Sequence, residues 1–259
     1  PRPLVQPHAL LTSKNQHATE GYALDWSRCA NALGVFASGD CRGGLTVWQP
    51  NEGSGWRSMM SLKGHNRSVE DIQWSPAEAP VLATASVDKS IAIYDMRTGS
   101  VPVLRVANAH DADVNVISWN RDKDTSNLLL SGGDDGLVKV WDLRSLAQSR
   151  SNNTGFTPAQ TYGYHRGAIT SVQWSPHDAS MFVASGEDNQ CTIWDLSAET
   201  DTEVATQGAS LGALQVPQQL MFDHRGQNEI KEVHWHPQIP NMLVSTSREG
   251  FHIFMPDNL

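Results

Sequence analysis

A short alternating segment, a charged connection, a second apolar segment, a tight turn and a third segment ending in an aromatic residue recur along this chain. No other feature limits its fold as strongly. The clearest copy, His110 to Asp142, reads H-D-A-D-V-N-V-I-S-W-N and later L-L-L-S-G-G-D-D-G-L-V-K-V-W-D. Val114 and Val116, with Trp119 near them, mark one face of a pleated strand, while Leu128 to Ser131 and Leu137 to Trp141 read as two strands joined by a turn. Asp135 and Gly136 supply the turn chemistry. One such hairpin is marginal in water, so it has to stack on copies of itself.

Two aligned series fix the register of those copies. The first-strand tryptophans are Trp26, Trp74, Trp119, Trp174 and Trp235, and the residues closing the third strand are Trp48, Tyr94, Trp141, Trp194 and Phe254. The second series is spaced by 46, 47, 53 and 60 residues, so insertions grow toward the C-terminus. Repeats of this length, with a Gly-His start and a Trp-Asp finish, are the signature of four-stranded propeller blades. The expected architecture is all-β. No helix is expected: Leu143 to Ser149 is short and followed by Ser, Asn and Gly, and reads as loop. Ala9 to Leu11 reads as an outer strand whose blade lies upstream, and the opening Pro1-Arg2-Pro3, without Met, as a processed or truncated start. Ser145 to Gly163 is a polar insert. The stretch 197–219, with Glu199, Asp201 and Glu203, is expected to be a flexible acidic insertion, either a contact for a basic partner or a solvated linker.

Composition narrows the partners. The 259 residues, 39% of them hydrophobic, suffice for one large domain spanning 1–259. With 28 acidic against 19 basic residues the net charge is -9, which disfavours anionic membranes and direct specific binding of nucleic acid and suits a basic partner. Cys29, Cys41 and Cys191 lie far apart, in no metal or disulfide spacing, compatible with a reducing compartment. No apolar run is long enough to span a bilayer as a helix.

His110, Ser131, Asp135 and Trp141 read as one hydrogen-bonded chain that satisfies buried polar atoms inside a narrow blade. Matching sets are His65, Thr84, Asp88 and Tyr94, and His165, Ser185, Asp188 and Trp194. His, Asp and Ser together resemble a catalytic triad, but an active site occurs once, and this set occurs three times. The sets are therefore read as structural, and no catalytic residue or cofactor is expected. Arg42 and Arg248 stand where the third unit has Asp135, so the first and fifth units are expected to lack the network. His234 and His236 lack a spaced third ligand, which makes a metal site a poor reading. Trp56 is either a satellite packing contact or an exposed anchor. Before each first-strand Trp lie polar residues that differ from unit to unit: Glu20, Tyr22, Glu70, Asp113, Asn115, Glu229 and Lys231 are the candidate recognition surface.

Several strings carry a resemblance to the WD-repeat family: E-G-Y-A-L-D-W-S (20–27), G-H-N-R-S-V-E-D-I-Q-W-S-P (64–76), A-H-D-A-D-V-N-V-I-S-W (109–119), L-L-S-G-G-D-D-G-L-V-K-V-W-D-L-R (129–144), P-Q-Q-L-M-F (217–222) and E-I-K-E-V-H-W-H-P (229–237). They resemble in particular its glutamate-rich ribosome-assembly group, a relative of the retinoblastoma-associated histone-binding proteins. The resemblance implies a seven-bladed WD40 β-propeller of which about five repeats are visible, two N-terminal blades lying upstream. It also implies a nuclear and nucleolar chaperone for a very basic protein of the large ribosomal subunit, number three, with histones as further partners. Glu20, Glu70, Asp113 and Glu229 then become the contact acids. The glutamate-rich tract that names the group is absent from this sequence. Tyr94-Asp95-Met96-Arg97 and Trp141-Asp142-Leu143-Arg144 match the WD-x-Arg boxes of cullin-four ubiquitin-ligase receptors, with Tyr for Trp in the first. That match makes Arg97 and Arg144 candidate adaptor contacts, unless they serve only in Asp–Arg pairs within the blade.

Overall fold

The computed structural model describes residues 11, 17, 19–27, 34–51, 55–152, 155–198 and 216–257. Ala9, Leu10, Cys29 and most of the acidic stretch 197–219 lie outside the described residues. Two compact units, Pro1–Val114 and Asn115–Leu259, divide the chain.

The first unit holds two antiparallel four-stranded sheets. One comprises β1 (Leu24–Trp26), β2 (Phe36–Gly39), β3 (Leu45–Pro50) and β4 (Trp56–Leu62); the other comprises β5 (Val69–Trp74), β6 (Val81–Ser86), β7 (Ile91–Asp95) and β8 (Leu104–Val106). The second unit holds the sheet of β9 (Val114–Trp119), β10 (Leu128–Gly133), β11 (Val138–Asp142) and β12 (Gln160–Tyr162), and a fourth of β13 (Ile169–Trp174), β14 (Met181–Gly186), β15 (Cys191–Asp195) and β16 (Leu220–His224). Its last sheet has three strands, β17 (Glu232–Trp235), β18 (Leu243–Ser247) and β19 (Gly250–Phe254).

Burial explains the sequence pattern strand by strand. Every residue of β6 and β14 is buried, which is why V-L-A-T-A-S and M-F-V-A-S-G are continuous apolar or small runs without alternation. The outer strand β4 instead alternates between exposed and half-buried positions, and its pattern W-R-S-M-M-S-L is correspondingly weak. Trp56 begins this strand rather than sitting in a loop. It packs edge-on against Trp26 and Phe36, with ring centroids 5.4 and 5.3 Å away, so it is a packing contact. The turn between second and third strands places one residue in the left-handed region, five positions before the closing aromatic: Gly43, Lys89, Gly136 and Asn189.

Leu143 to Ser149 is not loop but part of α1 (Leu143–Asn152). Asp142 Oδ1 accepts the Arg144 N–H at 2.9 Å, which caps the first turn, and Leu146 alone is buried. One buried residue in ten leaves no amphipathic period to read.

Adjacent sheets within each unit are clasped by their first-strand tryptophans. The Trp74 indole donates to the Asp25 carbonyl at 3.0 Å, and its backbone N–H to Asp25 Oδ2 at 2.8 Å. Trp174 does the same to the Ser118 carbonyl and Oγ, at 3.0 and 3.1 Å. Trp235 repeats it on the Gln173 carbonyl and Oε1, at 3.2 and 2.7 Å. The residue before one tryptophan is thus the acceptor for the next, which accounts for a polar residue in an otherwise apolar strand end.

Candidate interaction surface

The His–Asp sets are buried devices built at the turns. In the second sheet His65 Nδ1 lies 2.9 Å from Asp88 Oδ2, and Nε2 lies 2.7 Å from Thr84 Oγ1. Burial opposes ionisation of Asp88. Hydrogen bonds from His65 and Ser90, with the nearby charges of His65 and Arg105, outweigh it and hold the carboxyl well below its usual range. Tyr94 departs from the expected set, because its hydroxyl is buried without a hydrogen bond. Its oxygen lies against Gly64, where a Cβ would collide with it, and burial pushes the phenol well above its ordinary pKa.

In the fourth sheet His165 Nδ1 lies 3.0 Å from Asp188 Oδ1. The hydroxyl there belongs to Thr192, not to Ser185. His165 Nε2 lies 2.9 Å from Thr192 Oγ1, to which the Trp194 indole donates at 2.8 Å, while Ser185 Oγ bonds Thr170 Oγ1 at 2.9 Å. Ten residues before Trp194 stands Ala184, whose methyl offers no hydroxyl, so the cross-strand neighbour supplies it. In the third sheet the Trp141 indole donates to Ser131 Oγ at 2.9 Å, Asp135 Oδ1 accepts the Leu137 N–H at 3.1 Å, and His110 is fully buried.

The first sheet does have a network, contrary to expectation. His17 Nδ1 lies 3.0 Å from Asp40 Oδ2 and Nε2 lies 2.6 Å from Ser38 Oγ, which also accepts from the Trp48 indole at 2.8 Å. The carboxylate enters from the first turn residue rather than the third. Its other oxygen accepts the N–H groups of Arg42 and Gly44, each at 2.8 Å. The fifth sheet solves the same problem with an amide: buried Gln227 accepts from Ser245 Oγ at 2.8 Å, and its Nε2 lies 3.0 Å from His224 Nε2. Arg248 instead pairs with Glu229 at 3.2 Å on the surface.

The candidate recognition residues are mostly wet. Glu20 and Tyr22 are exposed in the first unit, where Glu70 and Asp113 are half-buried; in the second unit Glu229 and Lys231 are exposed. Asn115 is less available, since its Nδ2 donates to Asp134 Oδ1 and to the Ile169 carbonyl at 2.8 and 3.1 Å. Glu229 carries its own counter-ion in Arg248. His236 Nδ1 accepts the N–H groups of Gln238 and Ile239, and His234 Nε2 lies 3.4 Å from Glu232, so these two histidines serve local contacts. Among the described residues, no group of three or more His, Cys, Asp or Glu is placed to hold a metal ion.

Residues 56–95, 102–142 and 156–195 match the family model described as WD domain, G-beta repeat. The chain is a WD40-repeat protein. Over 98% of its length it is 44% identical to an Arabidopsis thaliana relative, Protein HEAT STRESS TOLERANT DWD 1, covering 53% of that protein. Ribosome assembly protein rrb1 of Schizosaccharomyces pombe is 43% identical over 94% of the chain and 49% of the relative. Glutamate-rich WD repeat-containing protein 1 of Dictyostelium discoideum is 45% identical over 96% and 50%. The chain therefore spans about half the length of the curated relatives it matches.

Each His–Asp–hydroxyl set is closed on its own blade's indole or backbone. The two WD-x-Arg boxes differ in geometry. Arg97 donates through Nε and Nη2 to Asp95 and through Nη2 to Glu78 at 2.8 Å, and these bonds from Arg97 lower the Asp95 pKa. Arg144 approaches Asp142 only to 3.7 Å, and Asp142 Oδ1 accepts from Asn127 and from the Arg144 N–H. Sequence reading missed His17, Ser38, Asp40, Thr192, Gln227 and Ser245. A fixed distance back from the WD40 aromatic finds the hydroxyl of Ser38, but Thr192 and Asp40 appear only when the cross-strand neighbour and the whole turn are considered.

Proposed function

We propose that this WD40-repeat protein is a chaperone for a strongly basic protein of the large ribosomal subunit, the number-three protein in the resemblance above, acting in the nucleus and nucleolus. The observation that carries this reading is the 43% identity, across nearly the whole chain, to a relative named as a ribosome assembly protein. The net charge of -9 and the polar strand-entry positions Glu20, Glu70, Asp113 and Glu229 support it. Acidic groups there steer a polybasic client and disfavour acidic competitors, while blade-specific neighbours such as Tyr22 and Lys231 set shape. The test is binding to that ribosomal protein beside histones H3 and H4 across a salt series, with Glu20→Gln, Glu70→Gln, Asp113→Asn and Glu229→Gln combined. Ribosomal-protein binding that outlasts histone binding as salt rises, and falls in the fourfold variant, supports the reading. Equal loss of both clients with salt, and indifference to the four changes, refutes it.

A second reading, adaptor binding to a cullin-four ubiquitin ligase, is favoured by the relative whose name contains DWD and by the exposed Arg144. A histone-binding chaperone remains the third reading, supported by a Candida glabrata relative, Histone acetyltransferase type B subunit 2, that is only 23% identical.

A further inference from the structure

The chain carries a hydroxyl residue directly before proline at Ser75-Pro76, Thr157-Pro158 and Ser175-Pro176. Two of these hydroxyls are committed to local structure. Ser75 is buried and its Oγ accepts the N–H groups of Ala77 and Glu78, while Ser175 Oγ accepts those of His177 and Asp178. Thr157 differs from both. It is exposed in irregular chain between α1 and β12, and among the described residues its hydroxyl takes part in no hydrogen bond. The proline that follows biases it toward an extended backbone, the form in which a kinase binds its acceptor.

The β11–β12 ladder fixes where that hydroxyl sits. Val138, Lys139 and Val140 pair with Tyr162, Thr161 and Gln160, and the Ala159 N–H donates to the Val140 carbonyl at 2.7 Å. The same antiparallel course carries Thr157 to the end of β11, where Asp142 closes the strand and Arg144 stands in the first turn of α1. Arg144 is exposed, and Asp142 comes no closer to its guanidinium than 3.7 Å. A guanidinium has five N–H donors, so most of that capacity is open to a stronger acceptor. Arg150, in the last turn of α1, is about 9 Å further along the helix.

We propose that Thr157 is a phosphorylation site for a proline-directed kinase and that its phosphate captures Arg144. The γ-phosphoryl group of ATP passes to Thr157 Oγ1. A new O–P bond forms there as the bond to the β,γ-bridging oxygen breaks, ADP leaves with that electron pair, and the hydroxyl proton passes to the kinase's base. The product brings about 1.5 to 2 negative charges and three acceptor oxygens to the start of α1. Phosphate and guanidinium pair through two parallel N–H···O bonds, which outcompete the 3.7 Å approach to Asp142. Arg144 is thereby withdrawn from any other acidic partner. This capture does not depend on which client or adaptor the protein binds.

The test treats the full-length gene product with ATP and a purified cyclin-dependent kinase or, separately, a mitogen-activated kinase. Mass spectrometry is expected to find phosphate on Thr157 and to lose it in Thr157→Ala, with Ser75 and Ser175 unmodified. The phosphorus NMR resonance that Thr157→Ala removes should titrate about one unit below the second pKa of about 6 that is ordinary for a phosphothreonine. Arg144→Ala should return it to that ordinary value, and Arg150→Ala should leave it low. No phosphate on Thr157 from either kinase, or phosphate on Ser75 or Ser175 in its place, overturns the site. An ordinary titration in the unaltered protein, or a lowered one that survives Arg144→Ala, overturns the capture.

Discussion

Thr192 stands directly across the sheet from Ala184, the reverse of the second blade, where Thr84 stands on the inner strand and Ala92 opposite it. Either arrangement puts one hydroxyl beside the histidine. The blade constrains the position of that oxygen and not the strand that carries it.

Removing the hydroxyl by Thr192→Val keeps the volume but leaves the Trp194 indole and His165 Nε2 without their shared partner in a buried site. The expected loss is about 1–3 kcal/mol, read from the urea midpoint followed by tryptophan fluorescence. Ser185→Ala should cost less, since its partner Thr170 is half-buried and can turn to water. Restoring the second-blade arrangement with Ala184→Thr on top of Thr192→Ala should recover part of the loss relative to Thr192→Ala alone. A larger effect at Ser185 than at Thr192 would contradict the observed network.

Lys89 holds φ at 68° in a turn where the corresponding residues are Gly43, Gly136 and Asn189. A side chain with a full Cβ and γ-carbon is strained in that region by about 1–2 kcal/mol, and Asn is better tolerated. Lys89→Asn should therefore raise stability by about 0.5–1 kcal/mol, detectable as a higher thermal midpoint. Its backbone bonds, to the Ser86 carbonyl and from the Ala109 N–H, do not depend on the side chain. An unchanged or lower midpoint would show that the Lys89 Nζ bond to the Asp111 carbonyl outweighs the strain.

His224, on β16 of the fourth sheet, makes the contact with the fifth sheet sensitive to acid. Its ring stacks on Phe254 at 4.2 Å, and its Nε2 faces the Gln227 amide nitrogen at 3.0 Å, an arrangement that needs an unprotonated nitrogen. Burial, then the nearby His252, depress its pKa below 6.5, against an opposing pull from Asp223. The folded state then binds fewer protons than the unfolded state between the depressed value and 6.5, so stability rises with pH through that window. The contribution is complete above pH 6.5 and declines as pH falls. His224→Gln, which keeps an acceptor for Gln227 but cannot titrate, should flatten the Tm difference between about pH 5.5 and 7.5. An identical slope in both proteins would assign the acid sensitivity elsewhere.

The repeat was legible because two positions per blade, the first-strand Trp and the closing aromatic, recur, and in the second to fourth sheets both are buried. From them the register of β5 to β7 or β13 to β15 follows directly. The outer strands were not legible: β8 and β12 are three residues long, and in β4 only Leu62 is buried. The networks were readable where Asp88, Asp135 and Asp188 share one turn position. They failed at Asp40, which reaches the histidine from two positions earlier, and at Gln227, whose amide replaces the pair altogether. In each failure the oxygen required by the buried site is present but is delivered from a different backbone position, which no linear spacing encodes.

The two WD-x-Arg boxes should contribute unequally to any acidic adaptor. The Arg97 side chain is 60% exposed, yet its donors are already directed to Asp95 and Glu78. Releasing it for a partner breaks charge-assisted bonds, so the free state competes with the bound one. Arg144 is 69% exposed and 3.7 Å from its nearest carboxylate, so it can turn outward without breaking a short bond. Arg144→Ala should therefore reduce adaptor pull-down more than Arg97→Ala, and Glu78→Gln should increase it by loosening Arg97. The measurement is co-purification of the cullin-four adaptor with each variant, beside circular dichroism to show that all fold. If Arg97→Ala has the greater effect while Glu78→Gln has none, the local pairs do not control access to the adaptor, and the contrast between the boxes has no bearing on that interaction.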